Sequence, residues 1–167
     1  TWRSYQEDID LVRNGAGQLT NVPLPRDQWT VPLTSISGIF APGFLNDFNF
    51  GAQYNYAAKH NPMVFFTDTS GGCDTTTSNR MRLNYAPHQQ LALDLQQDEV
   101  ADYNWITPNQ YNDQHTTLAN GYGGPSGSPL KTDAARIAQG DNYLARIVPL
   151  LMASEAYRDH GIIVLWW

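Results

Sequence analysis

Cysteine is nearly missing from this chain. Cys73 stands alone, which excludes an intrachain disulfide and a cysteine-based zinc site and leaves the redox compartment open. Positive charge is also thin: ten Lys and Arg face sixteen Asp and Glu, for a formal charge of −6. That balance argues against nucleic acid or an anionic membrane as a partner, since both need a broad basic surface. A local anion site is still allowed. No apolar run nears the ~20 residues of a membrane span, so the chain is not expected to be an integral membrane protein, and Thr1 is not expected to open a signal peptide. What remains is 167 residues, 41% of them apolar. That is the size of one domain with one core, though it need not be a complete one.

The stretch from Trp105 to His115 organises the rest, because it changes from strand to polar loop within a few residues. Tyr103, Trp105 and Ile106 read as strand, and Pro108, which cannot donate to a ladder, ends it. Asn109, Gln110, Asn112, Asp113 and His115 follow. Hydrogen-bonding side chains delivered at the carboxyl end of a strand are how an α/β sheet builds a ligand site.

In chain order, Trp2, Tyr5 and Ile9 have helix-like spacing and predict a surface helical turn within residues 1–13. From Asn14 to Gly51 the density of Gly and Pro forbids long helices and predicts loops with short extended pieces, the scattered Trp29, Phe40, Phe44, Phe48 and Phe50 acting as apolar anchors. Residues 52–60 predict a short helix ended by Asn61-Pro62, with His60 at a break where it can face a cleft and Met63 to Phe66 buried behind it. By itself a histidine at a helix end reads as a C-terminal cap. The Ser/Thr-rich segment 67–80 has no base at a recognisable spacing and reads as solvated loop.

Pro87 to Asp98 predicts an amphipathic helix with Leu91 and Leu95 on its buried face and His88 exposed near its start. Gly121 to Pro129 is glycine-rich, but no Gly-Lys-Ser/Thr follows, so it reads as a flexible connection rather than a phosphate cradle. Thr132 to Tyr157 is helical again. A break is expected near Gly140, with Asp141 as N-cap of the second part, a stripe of Leu144, Ile147, Val148, Leu151 and Met152, and a kink or break at Pro149. Ile162 to Trp167 is a continuous apolar run expected to form a central strand covered on both faces. A chain ending there is expected to be a piece of a longer one.

Three blocks in series carry a resemblance: Tyr56-Ala-Ala-Lys-His-Asn-Pro62; Trp105-Ile-Thr-Pro-Asn109 with Asn112-Asp113-Gln114-His115; and Gly140-Asp-Asn-Tyr-Leu144 leading through Ala153-Ser154 and Ala156-Tyr157 to Gly161-Ile-Ile-Val-Leu-Trp-Trp. Together with Thr1-Trp2 and Tyr5-Gln-Glu-Asp8 they resemble the phosphoesterase family of phosphatidylcholine-type phospholipases C and acid phosphatases. The resemblance implies part of an alkaline-phosphatase-like α/β sandwich, with a mainly parallel central sheet and long irregular loops. There a divalent metal and a Ser or Thr nucleophile attack a small phosphate ester or a phospholipid, in a secreted or periplasmic protein. His60 and His115 match the two histidines that contact the phosphoryl group. Imidazole donors suit the charge spread over the equatorial oxygens, and His115 is the stronger candidate for protonating the leaving alkoxide. Asp113 either orients His115 or stabilises the loop; Asn112 either contacts the ligand or caps its own turn.

The family's amino-terminal Glu-Asn metal block and its nucleophile segment have no counterpart here, and its acidic pair would follow Trp167. Residues 1–167 are therefore expected to be an incomplete phosphoesterase catalytic domain, inactive alone, holding no metal by itself, and partnered by the remaining segments of a parent chain. Two other readings stand beside this one. A secreted aromatic-rich module would stack flat ligands on surface Trp and Tyr, with His60 and His115 far apart. A catalytically dead homologue would keep the fold for interaction only.

Overall fold

The computed structural model describes residues 1–34, 36–38, 53–117 and 132–166. In chain order the strands are β1 (Trp2–Gln6), β2 (Leu11–Arg13), β3 (Leu19–Pro23), β4 (Ile36–Gly38), β5 (Gln53–Tyr56), β6 (Tyr85–Pro87) and β7 (Tyr103–Thr107). The α-helices are α1 (Thr67–Ser70), α2 (Gln89–Gln97), α3 (Asp133–Met152) and α4 (Glu155–Arg158), with single 3-10 turns between them. The class is mixed α/β. A parallel sheet of order β6-β1-β7 carries the chain, and β2-β3 and β4-β5 are small antiparallel pairs.

β1 is paired along both edges, and both of its faces are covered. Period-two alternation sends Tyr5 to one side, where it packs with Trp29, Ala86, Leu91 and Leu95, and with Ile147 and Leu151 of α3 at the margin. On the other side Trp2 and Tyr85 pack with Ile9, Val31, Tyr56 and Val64. Asp94 of α2 is fully buried against the sheet, accepting from Tyr5 Oη at 2.6 Å and Gln90 Nε2 at 2.7 Å and pairing with Arg3. A buried carboxylate held by that many donors is tolerated, whereas an unpaired one would not be.

Several expectations are corrected. Residues 2–6 form the central strand and not a helical turn: the Trp2/Tyr5/Ile9 spacing is helix-like, but Trp2 and Tyr5 serve opposite faces and pair through two neighbours distant in sequence. Residues 53–56 are a strand paired with β4, followed by the 3-10 turn Ala58–His60, so only the end of the expected helix is helical. Of Met63 to Phe66 only Val64 is buried, while Phe65 and Phe66 are exposed. Segment 67–80 contains the one-turn helix α1 before it becomes mostly exposed turns.

The Pro87–Asp98 helix is present, with Leu91 and Leu95 buried, but His88 is buried rather than exposed because α3 covers it. α3 runs unbroken through Gly140 and Pro149, its N-cap being Thr132, whose hydroxyl accepts from Ala135 N. Its inward stripe includes Ile147 and Leu151, while Met152 points outward. Residues 162–166 have no regular secondary structure, and Ile162, Val164 and Trp166 are exposed. Phe40, Phe44, Phe48, Phe50 and the 121–129 connection lie outside the described residues.

Candidate active site at the carboxyl ends of the parallel strands

All three parallel strands end at the same edge, so Glu7 and Asp8, His88, and the loop beginning at Asn109 emerge together. β7 ends where Pro108 stops it, and the polar loop 109–115 turns back over the edge. His60 reaches the same edge from the other sheet face. Its backbone carbonyl accepts from Trp105 Nε1 at 3.1 Å and Thr107 Oγ1 at 3.3 Å, and Thr107 Oγ1 in turn accepts from Gln6 Nε2 at 3.0 Å. The next residue is fixed as well: Asn61 takes a bond from Ser4 Oγ and gives one to Tyr56 Oη, each 3.1 Å. The alternation of β1 and β7 therefore supplies the pegs on which the His60 turn hangs.

These pegs bring the two histidines together. The rings of His60 and His115 lie 6.1 Å apart between centroids at an interplanar angle of 76°. Asp113 stands between them: its Oδ2 is 2.9 Å from His60 Nδ1, and its Oδ1 accepts from the His115 backbone N at 2.8 Å. Asp113 thus orients the ring of His60 and holds His115 through its backbone.

Burial lowers the His60 pKa below the usual imidazole value; Asp113 opposes this, and Lys59 and His115 add to it. Burial also raises the Asp113 carboxyl, against the stabilising His115 amide and the nearby cations. The lowered pKa favours the neutral imidazole, and the 2.9 Å contact is written as His60 donating Nδ1–H to the Asp113 carboxylate. That tautomer is assigned from the acceptor-only carboxylate. It leaves the His60 Nε2 lone pair for a ligand, the arrangement by which a carboxylate fixes an imidazole for proton transfer.

Beneath this surface pair sits Glu7. It is buried, its Oε2 accepting from Asn109 N and Asn112 Nδ2, each at 2.7 Å, and its Oε1 from Asn112 Nδ2 at 3.0 Å. Burial pushes its carboxyl up to about 7, the Asn109 and Asn112 bonds opposing and the Asp113 charge adding to the rise. Asp8, at φ 69°, accepts from Asn109 Nδ2 at 2.9 Å. Asn112, a candidate for substrate contact, is 3% exposed with its amide turned to Glu7.

Glu7 and Asp8 are the residues that sequence reasoning passed over. The signal was available: Gln6-Glu7-Asp8 follows Tyr5 in the same apolar-to-polar change that marks Asn109 after Ile106. On the far side α3 closes the site, with Tyr143 Oη 2.6 Å from His88 Nε2 and no room at Gly140 for a Cβ beside the Gln114 side chain.

The divalent metal implied by the resemblance does not fit this residue set. Among the described residues no three His, Cys, Asp or Glu are grouped to hold an ion, and Glu7 and Asp8 turn oxygens to the Asn109 and Asn112 amides. Among the described residues, too, no helix is long and apolar enough to cross a membrane. Compared with protein-family models, with curated proteins and with solved structures, the chain has no match.

Proposed function

We propose that this chain supplies the histidine half of the active site of a phosphoric ester hydrolase, of the acid phosphatase or phospholipase C type, built on an alkaline-phosphatase-like fold. The observation that carries the reading is the convergence of His60 and His115, distant in sequence, at 6.1 Å over the carboxyl ends of parallel strands. A phosphoryl group placed between the rings meets two imidazoles and the Lys59 ammonium nearby. Imidazole N–H groups aimed at the equatorial oxygens donate hydrogen bonds to the negative charge that spreads over them. His60 holds its Nε2 toward the ligand because Asp113 occupies Nδ1. His115 is exposed and free to meet the leaving oxygen as general acid.

The substrate class is a phosphate monoester or a phospholipid diester. The metal and the nucleophile come from other residues of the protein, which is exported. The aromatic-platform reading draws less support, since Trp29, Tyr5, Tyr56 and Tyr85 all lie in the core.

The test is turnover of an aryl phosphate monoester and of a phosphatidylcholine by the full-length protein supplied with divalent metal. His115→Ala is expected to lower turnover by about 10²-fold or more. An unchanged rate on whichever ester is cleaved would remove His115 from the reaction.

A further inference from the structure

We propose that Glu7 is the positioning residue of this site: from inside the protein it fixes the loop that sets Asp113 and His115 against His60. The assignment rests on the hydrolase reading for what the loop is for, and on geometry alone for what Glu7 does. Each link is a bond. Glu7 N donates to Thr107 O at 3.1 Å, tying the end of β1 to the last residue of β7. The Glu7 carboxylate then receives the backbone N–H of Asn109 and the side-chain amide of Asn112. Asn109 passes the constraint on, its Oδ1 accepting from the backbone N–H groups of Tyr111 and Asn112 and its carbonyl from Asp113 N at 2.9 Å. Asp113 ends the path at His60 Nδ1 and His115 N. A short polar loop has no apolar contacts strong enough to hold one geometry. A buried carboxylate receiving several N–H groups does, because releasing it would strand those groups away from water.

The pairing also tolerates a change of protonation at Glu7. The groups that face it are Asn109, Asn112 and Asp113 from the loop and Tyr143 from α3, on which the Glu7 charge acts. None is a cation. Asn112 Oδ1 is buried without a hydrogen-bond partner, so an amide flip presents it as an acceptor to a protonated Glu7, and Asn109 N keeps the other oxygen. A glutamine at position 7 likewise offers its carbonyl oxygen to Asn109 N and an N–H donor to the flipped Asn112 Oδ1. Shape and hydrogen bonding, not charge, are what the loop requires of this residue.

The experiment is a pH titration of the His60 and His115 imidazoles by NMR in the chain, with His88 as an internal reporter of the intact fold. In Glu7→Ala the loop is released, and His60 loses its burial, Asp113 and His115 together. Its pKa is expected to rise toward the ordinary imidazole value and its through-space contact with His115 to vanish, while His88 stays depressed. Glu7→Gln is expected to retain both His60 signatures. Asn112→Ala removes the side-chain half of the tie and leaves the Asn109 N–H on Glu7, so it should move both His60 signatures in the Glu7→Ala direction by a smaller amount, which keeps the test decisive if Glu7→Ala does not fold. A His60 pKa and His60–His115 contact unchanged in Glu7→Ala or Asn112→Ala would overturn the proposal. So would a Glu7→Gln protein that behaves like Glu7→Ala. Adding inorganic phosphate separates the two claims: a wild-type chain whose imidazoles ignore phosphate counts against the hydrolase reading and leaves the role of Glu7 to be judged on the titrations.

Discussion

His88 gives the sharpest test of how α3 closes over the sheet edge. Burial pushes its pKa from the usual 6.5 down to about 4, so the native state refuses a proton that the unfolded chain accepts. The unfolded state therefore binds more protons between those values, and stability rises with pH across the window. His88 costs nothing above pH 6.5 and destabilises progressively as pH falls toward 4. At about 1.4 kcal/mol per pH unit the gap comes to about 3 kcal/mol, a large part of the 5–15 kcal/mol that typically holds a domain together.

Glu7 works the other way. Its native pKa is raised from 4.5 to about 7, so its contribution is fully present below pH 4.5 and is lost as pH rises toward 7. Asp10, raised to about 6 by burial, adds a slope of the same sign as Glu7. The wild-type profile is thus a partial cancellation, and only a difference isolates His88. The assay is urea unfolding of wild type and His88→Phe at steps from pH 7 to 4. The phenylalanine loses the Tyr143 partner, a constant offset, but it cannot titrate. The difference between the two should shift by about 3 kcal/mol in favour of the variant between pH 6.5 and 4. A flat difference would mean that His88 takes its proton in the native state and that α3 does not bury it.

Other substitutions probe the walls of the site. Gly140→Ala sets a helix-propensity gain of about 1 kcal/mol against an overpacking cost of about 1–3 kcal/mol where its Cβ meets the Gln114 side chain. Thermal unfolding should show a neutral to modestly destabilised single variant, and a gain of about 1 kcal/mol when Gln114→Ala is the background. The full gain with Gln114 in place would deny the close approach. Asp113→Asn removes the charge that favours a protonated His60, so NMR titration should place the His60 pKa still lower. That sign is opposite to the one expected on releasing the whole loop, and no shift at all would dissolve the Asp113–His60 link.

What the sequence disclosed and what it hid divide along the range of the forces involved. Pro108 ends β7 by a local rule, and the polar residues after it landed at the sheet edge as read. His60 was placed at a break for an equally local reason, the proline two residues on. β1 was missed because three apolar residues at spacings of three and four fit a helix as well as a strand, and only β6 and β7, far away in the chain, decide between them. With β1 read as a surface turn, Glu7 and Asp8 had no reason to be inside.

The same logic covers Gly140 and His88. The glycine reads as a helix break, but it marks where α3 meets Gln114. The histidine reads as exposed until Tyr143 is laid over it. The run Ile162 to Trp166 shows the converse: apolar composition does not make a strand when no neighbour among the described residues pairs with it.

The central claim is that His60 and His115 form one phosphate-sized receptor. Its most direct measurement is an NMR titration of the four histidine imidazoles with inorganic phosphate at fixed pH. The resonances of His60 and His115 should move together with one saturation curve, while His88 stays still. Two unrelated curves, or rings that do not respond to phosphate at all, would contradict it.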